Sequence, residues 1–61
     1  MNELNNKILQ AIEKHLHDEA TAIETEGIEK MQNGAHRIAY DKLDLSKALR
    51  MAANYIGGVS A

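Results

Sequence analysis

A chain of 61 residues and 6.8 kDa holds one small domain, with no room for a catalytic domain beside a partner domain. Nine of its apolar residues are alanine and Phe and Trp are absent, so six Leu, six Ile, three Met, two Tyr and one Val must fill any core. A net charge of −2, no cysteine, no window approaching the ~20 apolar residues of a membrane span and no signal-peptide pattern in Met1–Lys7 exclude disulfides and Cys-built zinc sites, and lead us to expect a soluble, cytoplasmic protein.

The first predicted element covers residues about 2–32. From Leu4, apolar residues recur at Ile8, Ile12, Leu16, Ala20 and Ile23, with Leu9 and Ala11 widening the stripe, which is the period of an amphipathic α-helix. Glu19 and Glu26 fall near the middle of that stripe and Ile28 falls off it, so a bend or phase slip is expected near Gly27. Asn33-Gly34 then reads as a stop, since both residues tolerate the left-handed conformation that ends helices.

The second element is predicted over residues about 35–57. Ile38, Leu45, Ala52 and Val59 repeat every seven residues, and Leu49 and Ile56 follow Leu45 and Ala52 by four. Gly57-Gly58 is expected to end this helix and leave a frayed tail at 58–61; the alternative is a break at Asp44, with a third helix from Leu45. Two long helices joined by a short turn predict an all-α antiparallel hairpin. Charge agrees, because residues 1–33 carry three Lys against seven acids and residues 34–61 carry four Lys or Arg against two acids. Complementary surface pairs of this kind are each worth only ~0–1 kcal/mol.

Ile38, Leu45, Leu49, Ala52 and Ile56 share one face of the second helix and are the expected buried stripe. Tyr40, Met51 and Tyr55 cluster on roughly the opposite side, with Leu43 toward one flank. A hairpin needs one buried stripe per helix, so this second set is left without an internal partner. A single core below about 70 residues rarely contributes more than ~3–5 kcal/mol, and self-association is a usual supplement. We therefore expect a homo-oligomeric bundle with Tyr40, Leu43, Met51 and Tyr55 at the contact between copies; scattered surface residues are the plainer reading. Lys47, Arg50 and Asn54 lie on the same outer side. Basic groups beside an aromatic ring suit a phosphate and a stacked base, which makes Arg50, Lys47, Tyr40, Asn54 and Tyr55 the candidate ligand-binding residues.

Other chemistry is set aside. His15 and His17 point about 200° apart on a helix and cannot chelate one metal together; Glu13–His17 and His15–Glu19 each offer two ligands without a third, and His36 is distant in sequence. No phosphate-binding glycine loop, nucleophile elbow or catalytic cysteine is present, and Ser46 and Ser60 lack a base–orienter pair. No catalytic residue, metal ligand or cofactor is assigned, and an enzyme is not expected. The stretch from Ala53 to Ser60 has the look of a helix-turn-helix turn, but a recognition helix must follow such a turn, and the net charge of −2 lacks the footprint of a DNA binder.

The stretch from His36-Arg37-Ile38-Ala39-Tyr40 through Asp44-Leu45-Ser46-Lys47-Ala48-Leu49-Arg50-Met51-Ala52-Ala53-Asn54-Tyr55-Ile56 resembles the second helix of the phage helical-hairpin anti-defence proteins that sequester cyclic oligonucleotide messengers, the anti-CBASS and anti-Thoeris sponges. A basic residue opening the helix (Arg37 or His36), Leu45 at mid-helix, and Ala48 before an Ala-containing run ending in Ile56 carry the likeness, which is confined to this helix; no ligand-contacting residue is carried over from the first. The resemblance implies a hairpin that forms a symmetric oligomer and binds a cyclic nucleotide without hydrolysing it, in the cytoplasm of the host cell. The alternatives are an inhibitor or adaptor docking an amphipathic helical surface onto a host protein, and a purely structural oligomerisation module.

Overall fold

The computed structural model describes residues 3–60, the side chain of Ser60 excepted, so the expected helical start at Asn2 and the last residue of the expected frayed tail lie outside the described residues. Two α-helices, α1 (Glu3–Gln32) and α2 (His36–Ser60), form the predicted all-α antiparallel hairpin. The molecule is 48 Å long and 13 by 11 Å in cross-section at its Cα atoms.

Helix α1 begins with Glu3 in its first turn and ends with Lys30 in its last, each charge opposite to the helix-dipole end it occupies. Its end is a Schellman motif. Gly34 adopts φ 83°, its N–H donates to the Met31 carbonyl (3.1 Å), and the Ala35 N–H donates to the Lys30 carbonyl (2.9 Å). The Ala35 carbonyl then accepts from the Ala39 N–H (2.9 Å), which starts α2 immediately. The reversal thus takes only residues 33–35.

Several expectations about the elements are corrected. Helix α1 passes through Gly27 without interruption, so no phase slip occurs there. No break occurs at Asp44, and α2 does not end at Gly57-Gly58 but continues to Ser60. Both glycines keep negative φ, so neither takes the left-handed conformation through which a glycine ends a helix, as Gly34 does.

The larger correction concerns the seam. The helices meet on small residues: Ala20 and Gly27 of α1 against Ala39, Ser46 and Ala53 of α2 are the buried positions. Each set repeats every seven residues, the period that keeps one line of a helix facing a supercoiled neighbour. Gly27 marks the closest approach, since a Cβ added there would stand 3.1 Å from Leu43 Cγ and Cδ2 and 3.4 Å from the Ala39 carbonyl oxygen. Larger side chains line the seam without closing over: Leu9, Leu16, Ile23, Leu43, Leu49 and Ile56 are half-buried, and among the described residues no large side chain is fully buried. Of the expected α2 stripe only Leu49 and Ile56 reach the seam. Ile38 and Leu45 are each 50% exposed and Ala52 is exposed, because α2 is rotated to bring Ala39, Ser46 and Ala53 against α1. In α1, likewise, Ala20 is buried while Leu4, Ile8, Ile12 and Ala11 stay exposed. The single buried polar side chain among those described, Ser46, is satisfied by donating to the Leu43 carbonyl (2.8 Å).

Candidate functional site

At 100° per residue, Tyr40, Lys47 and Asn54 stand seven residues apart along one flank of α2, each step covering about 10 Å. All three are exposed, so the flank is open rather than recessed. Arg50 lies between this line and the seam. Its Nη2 donates to Glu24 Oε1 of α1 at 3.1 Å, with the two side chains 34% and 44% exposed. The guanidinium is therefore engaged by the hairpin itself. Met51 lies beyond the line, and Tyr55 points from the back of α2, away from α1; both are exposed. The fold therefore brings Tyr40, Lys47, Asn54 and Arg50 along one flank and leaves Tyr55 outside it.

Leu43, expected at a contact between copies, is instead half-buried against Gly27 inside the hairpin. Ile28 of α1 falls on the same flank as Tyr40 and is 48% exposed, an apolar neighbour from the other helix that hydropathy along α1 alone does not connect to α2.

A second ion pair crosses the seam on the opposite side, where Lys42 Nζ reaches Glu26 Oε1 at 3.3 Å. With Arg50–Glu24, which lies farther from the turn, it clamps the hairpin once on each side, joining the acidic helix to the basic one. A third pair, Lys14 Nζ–Asp18 Oδ2 at 2.7 Å, lies within α1 and is exposed. Its hydrogen bond, and then the opposite charge, hold Asp18 below the ordinary carboxylate range and raise Lys14 above the ordinary lysine range.

The His and Glu residues of α1 set aside above do not converge. His15 is exposed, His17 is half-buried on the Arg50 side, and Glu13 turns its carboxylate toward Gly57 of α2. Among the described residues no three of His, Asp and Glu form a group able to hold a metal ion, no cavity opens, and no helix is long and apolar enough to cross a membrane. No protein-family model, curated protein or solved structure matches this chain.

Proposed function

We propose that this is a small non-catalytic binding protein whose working form is a homo-oligomer. One observation carries the reading: large apolar side chains, among them Ile8, Ile12, Ile38, Leu45, Met51 and Val59, are 41–64% exposed, while among the described residues the seam buries only Ala, Gly and Ser. The surface is 4493 Å², against about 4,000 Å² for a compact monomer of this mass. An apolar surface this extensive, on a chain this short, is the mark of an interaction surface.

For the ligand of the assembled form we propose a cyclic nucleotide messenger, sequestered rather than turned over, as the resemblance of α2 to the phage sponges implies. Lys47 contacts phosphate, Tyr40 stacks on a base, Asn54 makes a polar base contact, and Arg50 joins Lys47 once it leaves Glu24. Tyr55, on the back of the helix, takes no part in this contact. Titrating cyclic di- and trinucleotides by calorimetry tests this: saturable heat that is lost in Lys47→Ala and reduced in Tyr40→Ala supports it. No heat at about 50 μM protein contradicts it.

A host protein is the second reading, favoured by the exposure of Met51 and Tyr55 (64% and 71%) next to the same flank. A stoichiometric host protein retained by the wild-type chain, released by Met51→Gln with Tyr55→Gln, and bound without any nucleotide would favour that reading over the messenger.

A further inference from the structure

The two broad sides of the hairpin differ in a way that the ion pairs make plain. One side carries Arg50–Glu24 and the Tyr40–Lys47–Asn54 line. The other carries Lys42–Glu26, and on it the helical repeat places Ile8 and Ile12 of α1 beside Ile38, Leu45 and Val59 of α2. These five are 41–50% exposed, and the half-buried Leu9, Leu16, Ile23, Leu49 and Ile56 lean toward the same side, forming its floor. This is the larger apolar surface, and it is not the one around Tyr40, Met51 and Tyr55.

We propose that this side binds the same side of a second copy, making a four-helix bundle in which both turns lie at the same end. The proposal rests on the self-associating reading above and specifies its surface, copy number and orientation. Area favours a second copy as the occupant. The face is 48 Å long and 13 Å wide at the Cα atoms, about 600 Å² before side chains widen it, and a standard interface takes about 800 Å² from each partner. A flat two-helix face of that outline is matched over its whole length by an identical one, and a twofold axis makes the contact self-complementary.

Charge fixes the orientation. The face is graded along its length: toward the turn the Glu26–Lys42 pair interrupts it beside Ile38, and toward the open end Ile8, Ile12, Ile56 and Val59 gather without a cross-helix ion pair among the described residues. With both turns at one end, α1 of each copy lies over α2 of the other. The two Glu26–Lys42 pairs then meet at one level as a ring of alternating charge, and the apolar ends cover one another. With turns at opposite ends, each charged pair sits on the other copy's apolar end, and the two Glu19 side chains approach across the axis near mid-length. Desolvating a charge against an apolar surface is unfavourable, as is apposing like charges. The arrangement also leaves Tyr40, Lys47 and Asn54 on the outer surface.

The chain has no cysteine, so Asn33→Cys at the exposed turn accepts a single nitroxide label on the full-length protein. Electron–electron double resonance, run with light scattering and circular dichroism at about 100 μM, then reads orientation and copy number together. The expected result is a helical species of twice 6.8 kDa with a turn-to-turn distance well under the 48 Å length of the hairpin. A two-copy species with a distance near or above 48 Å overturns the orientation while leaving self-association standing. A helical species of 6.8 kDa overturns both, and any mass other than two copies overturns the pairing. Unlabelled Met51→Gln with Tyr55→Gln is expected to remain two-copy and Leu45→Gln to lose mass or helix. The reverse pattern, Leu45→Gln unaffected and Met51→Gln with Tyr55→Gln monomeric, moves the interface to the other side and refutes this face.

Discussion

Gly34 is the residue on which the hairpin's geometry turns. Its φ of 83° puts it in the left-handed region, and nothing lies within 4 Å of where a Cβ would stand, so the cost of a side chain there is conformational rather than steric. Gly34→Ala is expected to lower stability by about 1 kcal/mol in urea unfolding, with helix content at low denaturant unchanged. Gly27 presents the opposite case, because its backbone is ordinary helix but Leu43 stands 3.1 Å from the absent Cβ. Alanine there exchanges a helix-propensity gain of about 1 kcal/mol against a tight contact. Leucine has no such compensation, and Gly27→Leu is expected to destabilise the fold by about 1–3 kcal/mol. The Asn33-Gly34 stop was legible in the sequence because a left-handed position selects its residue. The tightness at Gly27 was not, since a glycine that admits a neighbouring helix and one that weakens its own look alike in one chain.

Ionisable residues give smaller effects. Asp18 is held below its ordinary range by Lys14, so whatever the pair contributes is present above that range and lost as pH falls through it; the raised Lys14 contributes below its ordinary range and loses its share as pH rises above it. Both groups are exposed, and Asp18→Asn is expected to leave the thermal midpoint at neutral pH unchanged within error.

At the scale of the helices, the sequence made the two elements and their antiparallel arrangement legible, and missed where they touch. Hydropathy marks the line richest in Ile and Leu, which in α2 runs through Ile38, Leu45 and Ala52. Backbones approach most closely where side chains are smallest, which in α2 is Ala39, Ser46 and Ala53. The two lines are about 100° apart on the helix, so the stripe expected to be the core is mostly surface. A seven-residue recurrence of small residues in both helices was the available signal, and it carries no hydrophobic weight. The C-terminal boundary was missed for a related reason. Gly57-Gly58 is a helix stop by propensity, yet α2 continues, and Gly58 has open space around it. Gly58→Ala is therefore expected to raise stability by up to about 1 kcal/mol; a neutral or negative effect in urea unfolding would place the helix end at the glycine pair. At the other end of α2, Ala35 is a poor N-cap and no acid stands in the first turn. Ala35→Asp is expected to add about 0.5–1 kcal/mol, read in the same experiment.

At the scale of the molecule, the candidate site was partly legible. Helical spacing placed Tyr40, Lys47 and Asn54 on one flank, but the sequence could not show that Arg50 is engaged by Glu24 or that Leu43 is used within the hairpin. Both facts depend on the rotation of α2, which the small residues set. The same rotation gives the hairpin one broad side on which Ile8, Ile12, Ile38, Leu45 and Val59 gather, the face proposed to be covered by another copy.

The most direct test is thermal unfolding of the wild-type chain over a hundredfold range of concentration, followed by circular dichroism. If copies complete one another's core, folding is linked to association, and the midpoint climbs steadily as the protein is concentrated. A midpoint that stays fixed across the series, with full helix content at the most dilute point, would mean that a single hairpin stands alone and would contradict the account.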